Sequence, residues 1–419
     1  MADPPLKRGF CPGVLWPMEA GDGLIVRPRL GRGRLVPARL AALCEAANRH
    51  GNGIVELTRR ANLQLRGVSE RTLPDLQAEL LQLELTPQSL AAERAPQVAV
   101  SALSQLVRHE PAIEHVAAAL EQMLVAQPRC ALSPKLLIVV SDEHDACAEL
   151  HADVRVQLAA GGDVARLSVA GSATSALPLG VFSAGDVAPS VARLLAALAS
   201  LPGSRRMRDY VAERGVQPLH ALLEAHALAP LPFGDAAAFD CLGFHERAER
   251  WLGLTAPLGW LRADDLAAVA RLAERFAARE LRLTPARELL VVGIDQAAAS
   301  ELIELARPHQ FAPRRALARV ALSVCSGAPA CRSALGETRA LAAELGELVS
   351  ALATRPLTLH VSGCEKSCAR SAAADVTVVP GTRSHRLSFG ARVADTLQAA
   401  PLARPELMAR VLEQLAGVP

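Results

Sequence analysis

Residues 35–68 and 261–294 align without a gap at a constant offset of 226, and ten of the 34 pairs are identical. The matches include Leu40/Leu266, Arg49/Arg275, Leu57/Leu283, Thr58/Thr284, Leu63/Leu289 and Gly67/Gly293. A fold for this chain must therefore build the same unit twice. Each copy reads as an amphipathic helix, a short strand, a break and a second strand. The first helix covers 37–50 and stops at Gly51-Asn52-Gly53, a strong C-terminal signal. The second covers 263–278 and leads into a strand at 280–283. This is βαβ-type material that pairs into sheets with helices laid over them.

A weaker pairing links the blocks that follow. Strand 136–140 with 167–171 resembles 320–324 with 359–363, giving an order A–B–A′–B′ with a linker near 226–240. The expected fold is α+β and pseudo-two-fold. Two half-domains, 8–90 and 240–312, alternate with two α/β lobes, 91–225 and 313–419. Differences between the copies should mark the chemistry.

Bulk properties exclude some classes. The net charge of +2 and 3% aromatic content offer nucleic acid no basic, aromatic-rich module. The longest uncharged stretch, 167–185, is broken by Pro178 and several Gly and Ser residues, so no membrane span is expected. Nothing before Cys11 reads as the apolar core of a signal peptide, and the expectation is a cytoplasmic protein. Nine cysteines in such a compartment favour metal or redox use over disulfides. Cys11, Cys44, Cys130, Cys147 and Cys241 stand singly and read as small buried hydrophobes.

The remaining four form a pattern. Cys325 and Cys331 make C-x5-C, Cys364 and Cys368 make C-x3-C, and each pair follows a strand. Loops at the same edge of parallel strands would bring the four thiolates together. Thiolates suit an iron–sulfur cluster or zinc, but five intervening residues are loose for a zinc knuckle. A [4Fe–4S] cluster is expected. At the positions that the weaker pairing makes equivalent, the first half carries Ser141, Ser172 and Ala176, so the loops do not require thiols to form.

A second segment runs from Thr58 to Val68. Read as a strand, it puts Arg60, Asn62, Gln64 and Arg66 on one face and Ala61, Leu63 and Leu65 in the core. The second copy replaces the polar set by Ala286, Glu288, Leu290 and Val292. Arg27 and Arg29 alternate on a neighbouring strand, 24–30. Such a cationic face suits a ligand with several carboxylates, which guanidinium groups bind bidentately.

Together, the C-x5-C…C-x3-C pattern and the Arg60, Gln64, Arg66, Gly67 segment resemble the sulfite/nitrite reductase superfamily over nearly the whole chain. The threonine that directly precedes the first arginine in that family is Arg59 here. The resemblance implies ferredoxin-like half-domains, a cluster on the four cysteines, and Cys368 as the ligand that bridges to siroheme iron. It also gives Arg60 a catalytic role against tetrapyrrole and substrate. Within the superfamily the chain is most similar to the precorrin-3B synthase family, through Arg8-Gly9-Phe10-Cys11-Pro12-Gly13, Gly21-Asp22-Gly23-Leu24 with Arg27, His50-Gly51-Asn52-Gly53 and Lys366. That family implies hydroxylation of precorrin-3A at C20 with dioxygen and closure of a γ-lactone, with a mononuclear non-haem iron beside the cluster.

Siroheme enzymes hold sulfite with a Lys-x-Lys strand. Here Lys135 is kept, as a second catalytic candidate, but Leu137 stands in place of the other lysine. A further family arginine falls on Pro96, with Arg94 nearby. Losing two anion-binding cations weakens the siroheme reductase alternative and leaves a tetrapyrrole surface. A non-catalytic electron-transfer protein is the third reading. The macrocycle's carboxylates would pair with Arg27, Arg29, Arg60, Arg66 and Lys135, with Asn62, Gln64 and Lys366 completing the substrate-binding set. No Gly-x-Gly-x-x-Gly fingerprint accompanies a βαβ unit, so electrons are expected from a separate reductase or ferredoxin. His360 reads as a core or cluster-supporting residue, whereas His144, Asp145 and His151 read as solvated.

Overall fold

The computed structural model describes residues 12–87, 89–126, 132–133, 135–203, 205–231, 233, 237–314, 320–370 and 372–416. Cys11, Cys130, Pro134 and the segment 8–11 lie outside these residues. The chain forms two compact units. The first takes Met1–Met18 and Ile25–Pro313, and the second takes Glu19–Leu24 and Arg314–Pro419.

In chain order the strands of the first repeat are β1 (Met18–Ala20), β2 (Gly23–Val26), β3 (Arg34–Leu35), β4 (Ile54–Leu57) and β5 (Leu63–Val68). The α/β layer that follows has β6 (Gln97–Val100), β7 (Leu137–Ser141), the short β8 (His144–Asp145), β9 (Ala152–Leu158), β10 (Val164–Gly171) and β11 (Leu177–Ser183). After β12 (Ala237–Ala238), which pairs with β8, the second repeat supplies β13 (Gly243–Glu246), β14 (Arg250–Thr255), β15 (Trp260–Arg262), β16 (Glu280–Leu283) and β17 (Glu288–Val292). The second unit holds β18 (Val320–Val324), β19 (Leu357–Val361), β20 (Ala374–Pro380) and β21 (His385–Ala391).

The repeat is visible in the backbone. The first helix is Pro37–His50, as the sequence indicates, while the second is Ala263–Arg275 and ends a few residues earlier than its pattern suggests. These two helices pack on each other. Left-handed residues recur at the same offset: Arg32 and Gly33 match Leu258 and Gly259, Ala61 matches Arg287, and Gly67 matches Gly293. At Gly33 and Gly259 a Cβ would meet a main-chain oxygen at 2.9 Å, the Ala61 and Leu57 carbonyls respectively. Glycine is the residue that combines this close approach with a positive φ.

The two repeats are not self-contained. The sheet orders are β1-β2-β5-β4-β15 and β13-β14-β17-β16-β3. Trp260, Leu261 and Arg262 of β15 pair with Glu56, Val55 and Ile54 of the first copy, whereas Leu35 and Arg34 of β3 pair with Leu281 and Arg282 of the second. Each copy lends its short strand to the other, so both sheets reach five strands.

The α/β layer of the first unit has strand order β11-β10-β9-β7-β6, with β6, β7 and β9 parallel and β10 antiparallel to both β9 and β11. Its core gathers Ile138, Val140, Val154, Val156, Leu167 and Phe182 under the helices Ala112–Ala126 and Val187–Ala199. In the second unit β18, β19 and β20 are parallel and β21 is antiparallel, with the helix Arg339–Leu352 connecting β18 to β19.

This topology corrects the alignment of the two lobes. A parallel pair joined by one helix is β6–β7 in the first lobe and β18–β19 in the second. The equivalents are therefore β6 with β18 and β7 with β19, not 136–140 with 320–324. The same hydrogen bond marks both, Ser101 N–H to the Val140 carbonyl at 3.1 Å and Cys325 N–H to the Val361 carbonyl at 3.4 Å. The residue that stands for Cys325 is thus Ser101, not Ser141. Both β7 and β18 are short apolar runs in parallel pairings, although β7 is buried throughout and β18 is an edge strand with Ala321 exposed, so the pattern of apolar residues could not distinguish them. Among the described residues, no helix is long and apolar enough to cross a membrane.

Candidate functional site

The cysteine loops leave the carboxyl ends of neighbouring parallel strands. Val324 pairs with Val361 at the end of β18 and β19, so Cys325 and Cys364 emerge at one edge. Gly363 N–H donates to Cys325 Sγ at 3.0 Å, and Leu335 N–H donates to the Gly363 carbonyl at 2.7 Å. Cys331 N–H reaches the Gly327 carbonyl at 2.8 Å, and the Thr338 hydroxyl donates to the Cys325 carbonyl at 2.8 Å. A Cβ on Gly363 would lie 2.8 Å from Ala334 Cβ and 3.4 Å from Cys325 Sγ, so the loops close tightly around that glycine.

The electrostatics fit a cationic guest. Burial pushes the Cys364 thiol above its ordinary range, and the neighbouring Cys331 and Cys325 push it further, against the Lys366 main-chain N–H and ammonium. A thiol whose ionisation is hindered in this way needs a positive centre to become a thiolate. Cys368 is exposed, and Ser367 before it has a left-handed backbone. The Lys366 ammonium donates to the Ser333 hydroxyl at 2.8 Å, so it ties one cysteine loop to the other. The residues fit a cluster that takes one thiolate per iron. Among the described residues, no three His, Cys, Asp or Glu side chains gather as ligands of a single ion.

The polar segment is partly as expected. Strand β5 begins at Leu63, so Arg60 and Asn62 belong to a turn, not to the strand. Thr58 N–H donates to the Asn62 carbonyl at 2.8 Å, Ala61 N–H donates to the Thr58 carbonyl at 3.1 Å, and Ala61 has φ of 50°. Asn62 is buried and its Oδ1 accepts the Leu63 N–H at 2.8 Å, which makes it part of the turn rather than a substrate contact. Gln64 and Arg66 do alternate with the buried Leu63 and Leu65. Arg66, however, is only 2% exposed. It pairs with Glu56 at 3.2 Å and lies 4.7 Å from the Trp260 ring centroid. Its guanidinium fixes the sheet and its exchanged strand instead of meeting solvent.

Arg60 and Lys135 come together. The Arg60 guanidinium donates to the Lys135 main-chain carbonyl, and the Gln97 amide donates to the Arg60 carbonyl at 3.0 Å. Lys135 itself is exposed. Arg27 and Arg29 follow β2, which ends at Val26 rather than continuing to residue 30. Arg27 is half-buried and Arg29 exposed, anchored through their main-chain N–H groups to the Gly13 and Leu85 carbonyls.

The second copy shows what happened to the equivalent face. Arg282, at the place of Glu56, is 3% exposed and donates to the Ala102 and Ser104 carbonyls at 2.9 and 2.6 Å. Burial and the facing Arg34 lower its pKa to about 10, against the pull of Glu280. Leu290 and Val292, at the places of Gln64 and Arg66, pack with Trp251 against Leu103 and Leu106. These come from the loop that follows β6, the counterpart of the Cys325 loop. The second face is filled with the protein's own side chains.

Other expectations change. Asp145 is fully buried and ion-pairs with Arg155, and it accepts the Cys147 N–H at 2.6 Å, so it is not solvated. His144 is half-buried beside Phe239, while His151 is exposed and His360 fully buried. Cys44, Cys147 and Cys241 are buried, as expected of single cysteines. Sequence reasoning missed Gln97, Glu56 and Trp260. The Glu56/Arg282 reversal between copies was the available signal for one of them.

Comparison with known proteins agrees with this architecture. Residues 16–83 and 245–309 match the nitrite/sulfite reductase ferredoxin-like half domain. A precorrin-3B synthase from Sinorhizobium sp is 32% identical over 379 residues, which cover 89% of this chain and 81% of the relative. The chain belongs to the precorrin-3B synthase family of the nitrite/sulfite reductase superfamily. A ferredoxin–nitrite reductase from Synechococcus elongatus is 26% identical over 405 residues, covering 87% of this chain and 77% of that one. The solved structure of the Mycobacterium tuberculosis NirA protein aligns with a TM-score of 0.70 at 19% identity, over 92% of this chain and 79% of that chain, and shares the fold. Enzymes of this family are oxidoreductases.

Proposed function

We propose that this protein is a precorrin-3B synthase, which hydroxylates precorrin-3A at C20 with dioxygen and closes a γ-lactone in aerobic cobalamin biosynthesis. The observation that carries the reading is the asymmetry between the two copies. One face keeps Gln64 beside the Arg60 turn and Lys135, and the other is filled by Leu103 and Leu106. The likeness to the Sinorhizobium precorrin-3B synthase supports the reading.

The chain's own residues then have distinct tasks. Arg27, Arg29, Arg60 and the Lys135 ammonium hold the carboxylates of the macrocycle, and guanidinium groups do so with directed, paired hydrogen bonds. Gln64 offers a neutral amide beside them. Arg66 and Asn62 keep the sheet and turn in shape. Cys325, Cys331, Cys364 and Cys368 would hold a [4Fe–4S] cluster, which when bound supplies electrons one at a time. Hydroxylation places one oxygen atom of dioxygen in the product and reduces the other to water with two electrons and two protons. An external donor of the ferredoxin class is therefore part of the proposal, in keeping with relatives named ferredoxin–nitrite reductases. Those relatives also favour a second reading, a siroheme-dependent nitrite or sulfite reductase, against which stands Leu137 in the place of an anion-binding lysine.

One experiment separates them. Purified anaerobically, the protein should show a broad thiolate-to-iron absorption. Given precorrin-3A, a reductant and labelled dioxygen, it should place one labelled oxygen in the product. Siroheme bands together with reduction of nitrite or sulfite, and no label in the macrocycle, would replace this reading by the second.

A further inference from the structure

We propose that Gln97 is a positioning residue that fixes the backbone of the Arg60 turn, so that the guanidinium is presented to a substrate carboxylate in one orientation. The inference rests on the function proposed above for Arg60.

Comparing the copies isolates the role. The turn at Thr284–Glu288 makes the same bonds as its partner at Thr58–Asn62. Thr284 N–H donates to the Glu288 carbonyl at 3.0 Å, Arg287 N–H donates to the Thr284 carbonyl at 3.0 Å, and Arg287 has φ of 66°. That turn is closed locally, because the Thr284 hydroxyl donates to the Glu288 carboxylate at 2.9 Å. In the first copy Asn62 replaces the glutamate and turns to Leu63 N–H, and an amide from outside the repeat takes the Arg60 carbonyl at 3.0 Å.

The outside amide is well placed for this. Gln97 pairs with Leu137 where β6 meets β7, two residues beyond Lys135. The main chain of Arg60 is held by Gln97 and its side chain by the Lys135 carbonyl, both at the start of one strand pair. A residue fixed at both ends loses little conformational entropy when it binds an anion.

The test uses two isosteric variants of the full chain loaded with its cluster. Gln97→Met removes the donor. Gln97→Glu sets a carboxylate against the Arg60 carbonyl but donates again once protonated. Arg60 modification by an arginine-selective dicarbonyl, read by peptide mass spectrometry without substrate, should be several-fold faster in Gln97→Met. In Gln97→Glu it should return toward the wild-type rate as pH falls. In turnover, Gln97→Met should raise KM for precorrin-3A about tenfold, the size of one lost hydrogen bond, with a much smaller change in kcat. Unchanged Arg60 modification, or a pH-independent Gln97→Glu, overturns the inference. Altered modification in a protein that does not turn over precorrin-3A leaves the clamp standing and rejects the function.

Discussion

Arg66 of the first repeat stacks over Trp260 of the second, 4.7 Å from the ring centroid, and holds Glu56 at 3.2 Å. A cation that sequence reasoning assigned to a ligand instead clamps a borrowed strand. Arg66→Met should leave Glu56 without this partner and lose the ring contact. We expect a loss of about 2–4 kcal/mol in unfolding free energy, as for other buried charged hydrogen bonds, with the iron content of the folded fraction unchanged. Chemical denaturation and iron analysis check both halves of the statement.

Arg60→Ala should act on binding. Truncating a charged hydrogen-bonding group costs about 1–3 kcal/mol, read as a rise in KM for the macrocycle while cluster absorption stays intact. Wild-type kinetics would remove Arg60 from the site.

Cys364→Ser should abolish the cluster. Burial, with Cys331 and Cys325 beside it, raises the pKa of the Cys364 thiol, and a bound metal would hold it as a thiolate. Iron and acid-labile sulfide should fall to background. Full retention of both would contradict the ligand assignment.

Asp375 gives the second unit a pH dependence. Burial tends to raise its pKa, but hydrogen bonds from the Thr358 hydroxyl and main-chain N–H and the Arg355 guanidinium outweigh it and hold the carboxyl at about 2. A carboxyl depressed on folding contributes stability that is complete above its unfolded pKa. That contribution fades as pH falls from 3.8 toward about 2. Asp375→Asn should therefore destabilise the protein at neutral pH, with the difference from wild type shrinking across that acid window. A difference independent of pH would refute the assignment.

Much of the fold was legible. The gapless offset of 226 located both helices, and Gly51-Asn52-Gly53 marked the first stop. The lobes were misaligned because β7 and β18 are both short apolar runs in sequence, and only the strand–helix–strand connection distinguishes them. The cysteine pattern was legible because loops after parallel strands share an edge. The substrate face was legible only in part. Alternation treats Arg60 through Arg66 as one strand, but the left-handed Ala61 breaks it. Whether an arginine meets solvent or a buried glutamate depends on Glu56 and on a strand from 200 residues away, which local pattern does not reveal.

The exchange of β3 and β15 has a consequence for how the chain acquires its structure. Arg34 pairs with Arg282, 248 positions later (282 − 34), and the first sheet is completed by residues 260–262. Contacts of such separation form late and slow the search. During synthesis the first repeat must wait, one strand short and with an open edge on β4, until its twin has left the ribosome. A truncation before residue 260 should leave that edge available to other chains, so aggregation of such fragments is the expected fate. For this architecture, the smallest length that can fold on its own exceeds the smallest length that contains the repeat.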